Sequence, residues 1–143
     1  MSTFLLEIVT PDRLVFAEDV EMVSVPSAMG QLGILPRHVP LFSQLVEGEL
    51  KIVKDGKESF LSIGGGFLEV AGKKTTILIT RVVNQDELNE EEILRAKKEA
   101  EEALKQKPTG EVRIAAEAAF RRSLIDLKVL RRQRHFSVTT SAS

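Results

Sequence analysis

Two histidines, His38 and His135, and no cysteine give this chain few of the groups that enzymes use. A histidine-based metal site needs three or four converging ligands, and these two residues do not supply one. The lack of cysteine excludes a thiol nucleophile, a thiolate metal site and a disulfide framework, without fixing the compartment. No Gly-x-Ser-x-Gly elbow is present. Gly64-Gly65-Gly66 is not followed by Lys-Ser/Thr, so it is not a Walker-type phosphate loop. Those glycines read as a close backbone approach at a strand or bulge. His38 reads either as a turn histidine bonded locally or as an interface residue. No catalytic constellation and no metal site can be assembled.

What must position any site is a chain of 143 residues, 43% hydrophobic and 29% charged, with a formal charge of -1. That length fits one domain or two small ones, and it is enough to bury a core. The near-neutral balance gives no reason to expect nucleic acid, and without Trp or Tyr any base stacking would fall to Phe. No apolar run approaches the roughly 18 residues of a spanning helix, and the N-terminus lacks a signal pattern. The expectation is a protein kept in the cytosol that docks on a membrane complex without inserting.

Eight of nine glycines and four of five prolines precede Asn84. Short strand-forming runs fill that part. Phe4–Val9 stops at Thr10-Pro11-Asp12. Glu49–Lys54 and Lys57–Ile63 flank Asp55-Gly56, a type I′ hairpin signal. Phe67–Ala71 and Thr75–Val82 flank Gly72-Lys73-Lys74. Such spacing predicts a flattened antiparallel β-sandwich of about ten strands over residues 1–84. Residues 85–134 read as an antiparallel helical hairpin. Asn89 is placed to cap Glu92, with Glu92 reaching back, and Ile93, Ala96, Ala100 and Ala103/Leu104 recur at helical spacing. Pro108-Thr109-Gly110 breaks the helix. Ala116, Phe120, Leu124, Leu127 and Leu130 mark the apolar face of a second one. The Ser/Thr-rich tail, 135–143, has little to bury and reads as disordered.

Charge divides the hairpin. Asp86–Glu102 holds eight acids against three bases, and Arg121–Arg134 holds six bases against one acid. Folded back, these stretches should face each other with opposite signs, and each complements its own helix dipole. Exposed pairs contribute only about 0.2–1 kcal/mol each, so they bias the hairpin without locking it.

One stretch is more specific than all of these. Between Val25 and Leu41, Pro26, Pro36 and Pro40 alternate with Gly30 and Gly33 amid strand formers. Such a run leaves a strand, turns sharply and returns as a short edge strand. This motif, with Gly64-Gly65-Gly66-Phe67-Leu68-Glu69-Val70, resembles the epsilon-subunit family of the bacterial rotary ATP synthase, and the likeness runs from about Leu5 to Leu130. The resemblance implies a non-catalytic central-stalk subunit of the proton-translocating complex, peripheral on the cytoplasmic face of the cell membrane. It couples the gamma subunit to the c-subunit rotor ring, and its hairpin inhibits ATP hydrolysis. The positions matching the family's gamma-subunit interface are Thr10, His38, Phe42, Ser43, Glu69 and Thr76. The loop Ser27, Ala28, Met29, Gly30, Gln31 and Leu32 matches the ring contact, with Met29 and Gln31 at its tip. Gln31 is neutral where family members often have an acid.

In some members the hairpin binds ATP through Ile/Leu-Asp-x-x-Arg-Ala and second-helix arginines. Here Glu91 and Glu92 precede Arg95 and Ala96, Arg122 matches one arginine, and Asp126 stands where another would be. Extra negative charge facing a triphosphate implies weak or absent ATP binding, as a regulatory ligand rather than a cofactor. Arg121, Arg122, Lys128, Arg131 and Arg132 match a basic helix that meets the alpha/beta catalytic head when the hairpin extends. Two rivals predict different behaviour. A stand-alone ATP-binding sensor would hold nucleotide without any partner, and a β-sandwich hydrolase would use His38 with a nearby carboxylate.

Overall fold

The computed structural model describes residues 2–132; residues 133–134 of the expected hairpin and the 135–143 tail, with His135, lie outside the described residues. The strands are β1 (Phe4–Val9), β2 (Leu14–Val20), β3 (Met22–Ser27), β4 (Gly30–Ile34), β5 (Leu41–Leu45), β6 (Gly48–Lys54), β7 (Lys57–Ile63), β8 (Gly66–Ala71), β9 (Lys74–Ile79) and β10 (Val82–Asn84). They form one ten-stranded sheet in the order β10-β7-β6-β3-β5-β8-β9-β1-β2, with β4 paired to β3 as an edge. The two halves of that order meet through a single residue pair, Ser27 with Leu45. The sheet folds over at that weak seam into two layers. Alternating residues of both layers point inward: Leu6, Ile8, Leu68 and Ile77 from one, Val23, Val25, Leu50, Ile52, Leu61 and Ile63 from the other. They close into one buried cluster. Each such side chain contributes about 1.5–3 kcal/mol by leaving water. This is the expected sandwich.

Local chemistry explains its turns. Asp55 and Gly56 both take positive φ, 53° and 75°, as a type I′ turn between β6 and β7 requires. At Gly66 an added Cβ would sit 1.9 Å from the carbonyl oxygen of Leu78, so the strand approach there tolerates only glycine. Two features depart from expectation. β1 pairs β9 in parallel, the one parallel ladder in an otherwise antiparallel sheet. The run Thr75–Val82 is two strands rather than one. β9 pairs β8 and β1, whereas β10 pairs β7 in the other layer, so the chain crosses between layers at Thr80-Arg81. Residue periodicity carries no information on either point.

A single 3-10 turn, Gln85–Glu87, leads into α1 (Glu90–Lys105), and α2 (Gly110–Leu130) completes the helical hairpin. Asn89 caps α1 by accepting from the Glu92 backbone N–H at 3.1 Å. Ile93 and Ala100 are buried as the stripe predicts, but Ala96 is exposed. On α2 the buried positions are Ala116, Ser123, Asp126, Leu127 and Val129, while Leu124 stays 44% exposed. The expected face is therefore rotated. The cause is a second neighbour: α2 packs against α1 on one side and against β6 and β7 on the other.

Candidate functional site

Two outward faces of the sandwich carry the residues of interest. The first lies on β5, β8 and β9. Cross-strand register places Phe42 opposite Glu69 and Glu69 opposite Thr76, so three expected interface residues form one row across three strands. The next outward row holds Phe67 opposite Leu78. Phe42, Phe67 and Leu78 are 67%, 46% and 50% exposed. The two rings stack with centroids 5.5 Å apart. Beside them Val9, Thr10, Pro11, Phe67, Leu78 and Thr80 line an apolar cleft of about 370 Å³. Thr10 thus adjoins this face. Ser43 does not share it, because one residue along a strand reverses the side chain, and Ser43 pairs with inward-facing Leu68. His38 stands in the loop between β4 and β5. Its N–H donates to the Leu35 carbonyl at 3.2 Å, and its Nδ1 lies 2.7 Å from the Val39 carbonyl oxygen.

The β3–β4 turn ends this layer's neighbour. Ser27 Oγ donates to the Gly30 carbonyl at 2.6 Å and accepts from the Met29 N–H at 3.2 Å, which props up the turn. Met29 projects from it, 96% exposed. Gln31 is not at the tip. It belongs to β4, and its Nε2 donates back to Ser24 Oγ at 2.9 Å, with Glu49 O at 3.4 Å beside it.

The second face is the outside of β6, β7 and β10. Phe60 and Ser62 alternate with core-facing Leu61 and Ile63, and Glu49 pairs with Ser62 across the strands. α2 covers this surface. Asp126, 7% exposed, accepts from Ser62 Oγ at 2.6 Å and pairs with Arg81 Nη2 at 3.1 Å. Arg81 Nη1 also donates to Ser62 Oγ at 3.2 Å. At the end of α2, Arg132 holds both carboxylate oxygens of Glu49 at 2.8 Å and lies over the Phe60 ring, 5.1 Å from its centroid. Hydrogen bonding to Glu49, then its charge, raises the pKa of Arg132 still further, so it stays charged at any physiological pH. Gln85 Nε2 donates to the Val129 carbonyl at 2.9 Å, capping α2 from the connecting turn.

This corrects the expected charge pattern. Of the described basic residues of the cluster, Arg131 is the one that pairs with the acidic start of α1, at Glu90, 3.9 Å away. Arg121 pairs with Glu47, and Lys128 and Arg132 with Glu49, all on the sandwich side. Arg122 is exposed and, with Glu92 and Ala96, lines a cleft of about 280 Å³ between hairpin and sandwich. Arg95 is not among that cleft's lining residues, and Asp126 and Glu87 add negative charge to it. Sequence reasoning missed Ser62, Arg81, Gln85 and Glu49. The available signal was Phe60-Leu61-Ser62-Ile63, a strand stretch without the polar alternation of a solvated face. Among the described residues no group of His, Asp and Glu could hold a metal, and no helix is long and apolar enough to cross a membrane.

Residues 3–85 match the family model described as the ATP synthase, Delta/Epsilon chain, beta-sandwich domain. The chain is 42% identical over 130 residues to the ATP synthase epsilon chain of Herpetosiphon aurantiacus, covering 91% of this chain and 96% of that one. It is 43% identical over 130 residues to the same chain of Caldanaerobacter subterraneus, covering 89% and 93%. Among solved structures it resembles a chain in the Euglena gracilis mitochondrial ATP synthase, OSCP/F1/c-ring in rotational state 1. There the TM-score is 0.74 with 26% identity, covering 91% of this chain and 78% of that one.

Proposed function

The chain belongs to the delta/epsilon-chain family of ATP synthase, and we propose that it is a non-catalytic coupling and regulatory subunit of the central stalk. The face built on β5, β8 and β9 docks on the gamma subunit, with Phe42, Glu69, Thr76 and Thr10 in the contact and His38 at its margin; Ser43, turned to the other side of β5, is left out of it. Met29, on the turn Ser27–Leu32, touches the c-subunit ring. The helical hairpin beyond Asn84 restrains ATP hydrolysis by leaving the sandwich and presenting Arg121, Arg122, Lys128, Arg131 and Arg132 to the alpha/beta head. The complex sits on the cytoplasmic face of the membrane.

One observation carries this reading. Phe42, Phe67 and Leu78 form a contiguous exposed apolar patch on a rigid sheet, as a partner-binding surface does. The hairpin cleft contains Glu87, Glu92 and Asp126 against Arg81 and Arg122, a balance that disfavours a triphosphate. ATP binding is therefore weak or absent. A tagged chain purified from membranes is expected to bring down a multi-subunit ATPase. Recovery of the chain alone, with micromolar ATP affinity by calorimetry, would favour the free-standing sensor instead.

A further inference from the structure

The seam between α2 and the sandwich is polar at its centre. Asp126 sits where the helix presses on β7, almost excluded from water, and Ser62 and Arg81 close a three-membered ring of contacts with it. The three groups come from a helix, a strand and the crossover between layers. Lifting α2 away breaks both contacts of Asp126, to Ser62 and to Arg81, and returns the carboxylate to water. The Arg81–Ser62 bond stays within the sandwich, and the Arg81 side chain is already 31% exposed. The desolvation needed to bury such a pair roughly cancels its attraction, so the pair adds little net hold. A shift of α2 along the strands would be different: it would carry the buried carboxylate from Ser62 toward apolar Phe60 and away from Arg81, at heavy cost.

We propose that Asp126, Arg81 and Ser62 form a register key that admits one seating of the hairpin on the sandwich while keeping that seating easy to open. The apolar residues beside the key, Leu127, Val129 and Phe60, supply the adhesion, and the Arg132–Glu49 pair and the Gln85 cap fasten the helix end. The proposal deepens the regulatory reading and rests on it for its use in the complex, though the key itself belongs to the isolated chain.

The absence of cysteine makes a clean test available. Ser123 is 3% exposed and its hydroxyl bonds only within its own helix, to the Ala119 carbonyl at 2.9 Å. Ser123→Cys therefore installs a single shielded thiol, and its labelling rate by N-ethylmaleimide reports opening of the full-length chain. Asp126→Asn, which strands Arg81, should label at least about tenfold faster with helix content by circular dichroism unchanged. The double variant Arg81→Met/Asp126→Leu, which replaces the pair with apolar groups, should label several-fold slower than the Ser123→Cys parent. A double variant that labels as fast as the parent or faster overturns the key, because the pair is then the adhesive. An Asp126→Asn chain that labels at the parent rate overturns it as well. Should Asp126→Asn lose helix content, the double variant decides alone. If the double variant closes the isolated chain yet leaves hydrolysis by the reconstituted ATP synthase unchanged, the key stands and the regulatory reading fails.

Discussion

Phe42 shows how one side chain can be misjudged from its type. Read as a bare aromatic in a strand it belongs in a core; in the structure it is stacked on Phe67 and exposed, because register and not hydrophobicity decides which face a strand residue occupies. Replacement of Phe42 by Ala should weaken association with the isolated gamma subunit by about 2 kcal/mol, roughly 30-fold in Kd, with the melting temperature unchanged. Surface plasmon resonance on the two purified subunits reads this directly. Gly66 makes the opposite prediction. Its substitution by Ala forces a methyl into the Leu78 carbonyl, and the sandwich should lose roughly 1–3 kcal/mol in a urea melt. Gly64–Gly66 was legible as a close approach because only that role suits three consecutive glycines in a strand context. Arg81 was not legible, since nothing around it in the chain signals that a residue 45 positions later is its partner.

Among elements, the β6–β7 hairpin is dictated by two residues, whereas the position of α2 is dictated by a surface assembled from two strands, β6 and β7. That difference explains what could be read in advance. Asp55-Gly56 and the Asn89 side-chain cap are local and legible; the expected return bond from Glu92 is not formed, and it is Glu87 that reaches back, to the Asn84 N–H. The rotated face of α2 depends on Ser62, Glu49 and Phe60, which are remote in sequence, so helical periodicity pointed at Leu124 instead of Ser123 and Asp126. The expected pairing of acidic α1 with the basic end of α2 is realised at Arg131–Glu90 and not at Arg121, Lys128 or Arg132, for a related reason. Arg121 reaches Glu47, and Lys128 and Arg132 reach Glu49, where a bidentate Arg–carboxylate pair outcompetes loosely held single contacts. These outer pairs are exposed and screenable. Raising salt from low to about 0.5 M should therefore speed thiol labelling of the Ser123→Cys chain only a few-fold. A much larger acceleration would mean that the peripheral ions, rather than the apolar contacts, hold α2 down.

Across the molecule, two dissimilar surfaces share one rigid support. On one side the folded sheet exposes stacked aromatics; on the other it carries a hairpin through a joint of serine, arginine and carboxylates. The first surface is continuous with the core layers and cannot move without unfolding them. The second meets the sandwich through one helix, whose buried residues lie outside the sandwich's own core cluster. This division of labour between a fixed sandwich and a regulatory hairpin is decided by ending the chain after Asn84 in the reconstituted ATP synthase. The shortened subunit should remain bound through the stalk while ATP hydrolysis by the complex rises several-fold above that with the full chain. Loss of the shortened subunit from the complex, or hydrolysis equal to that with the full chain, would show that the two parts do not divide the work in this way.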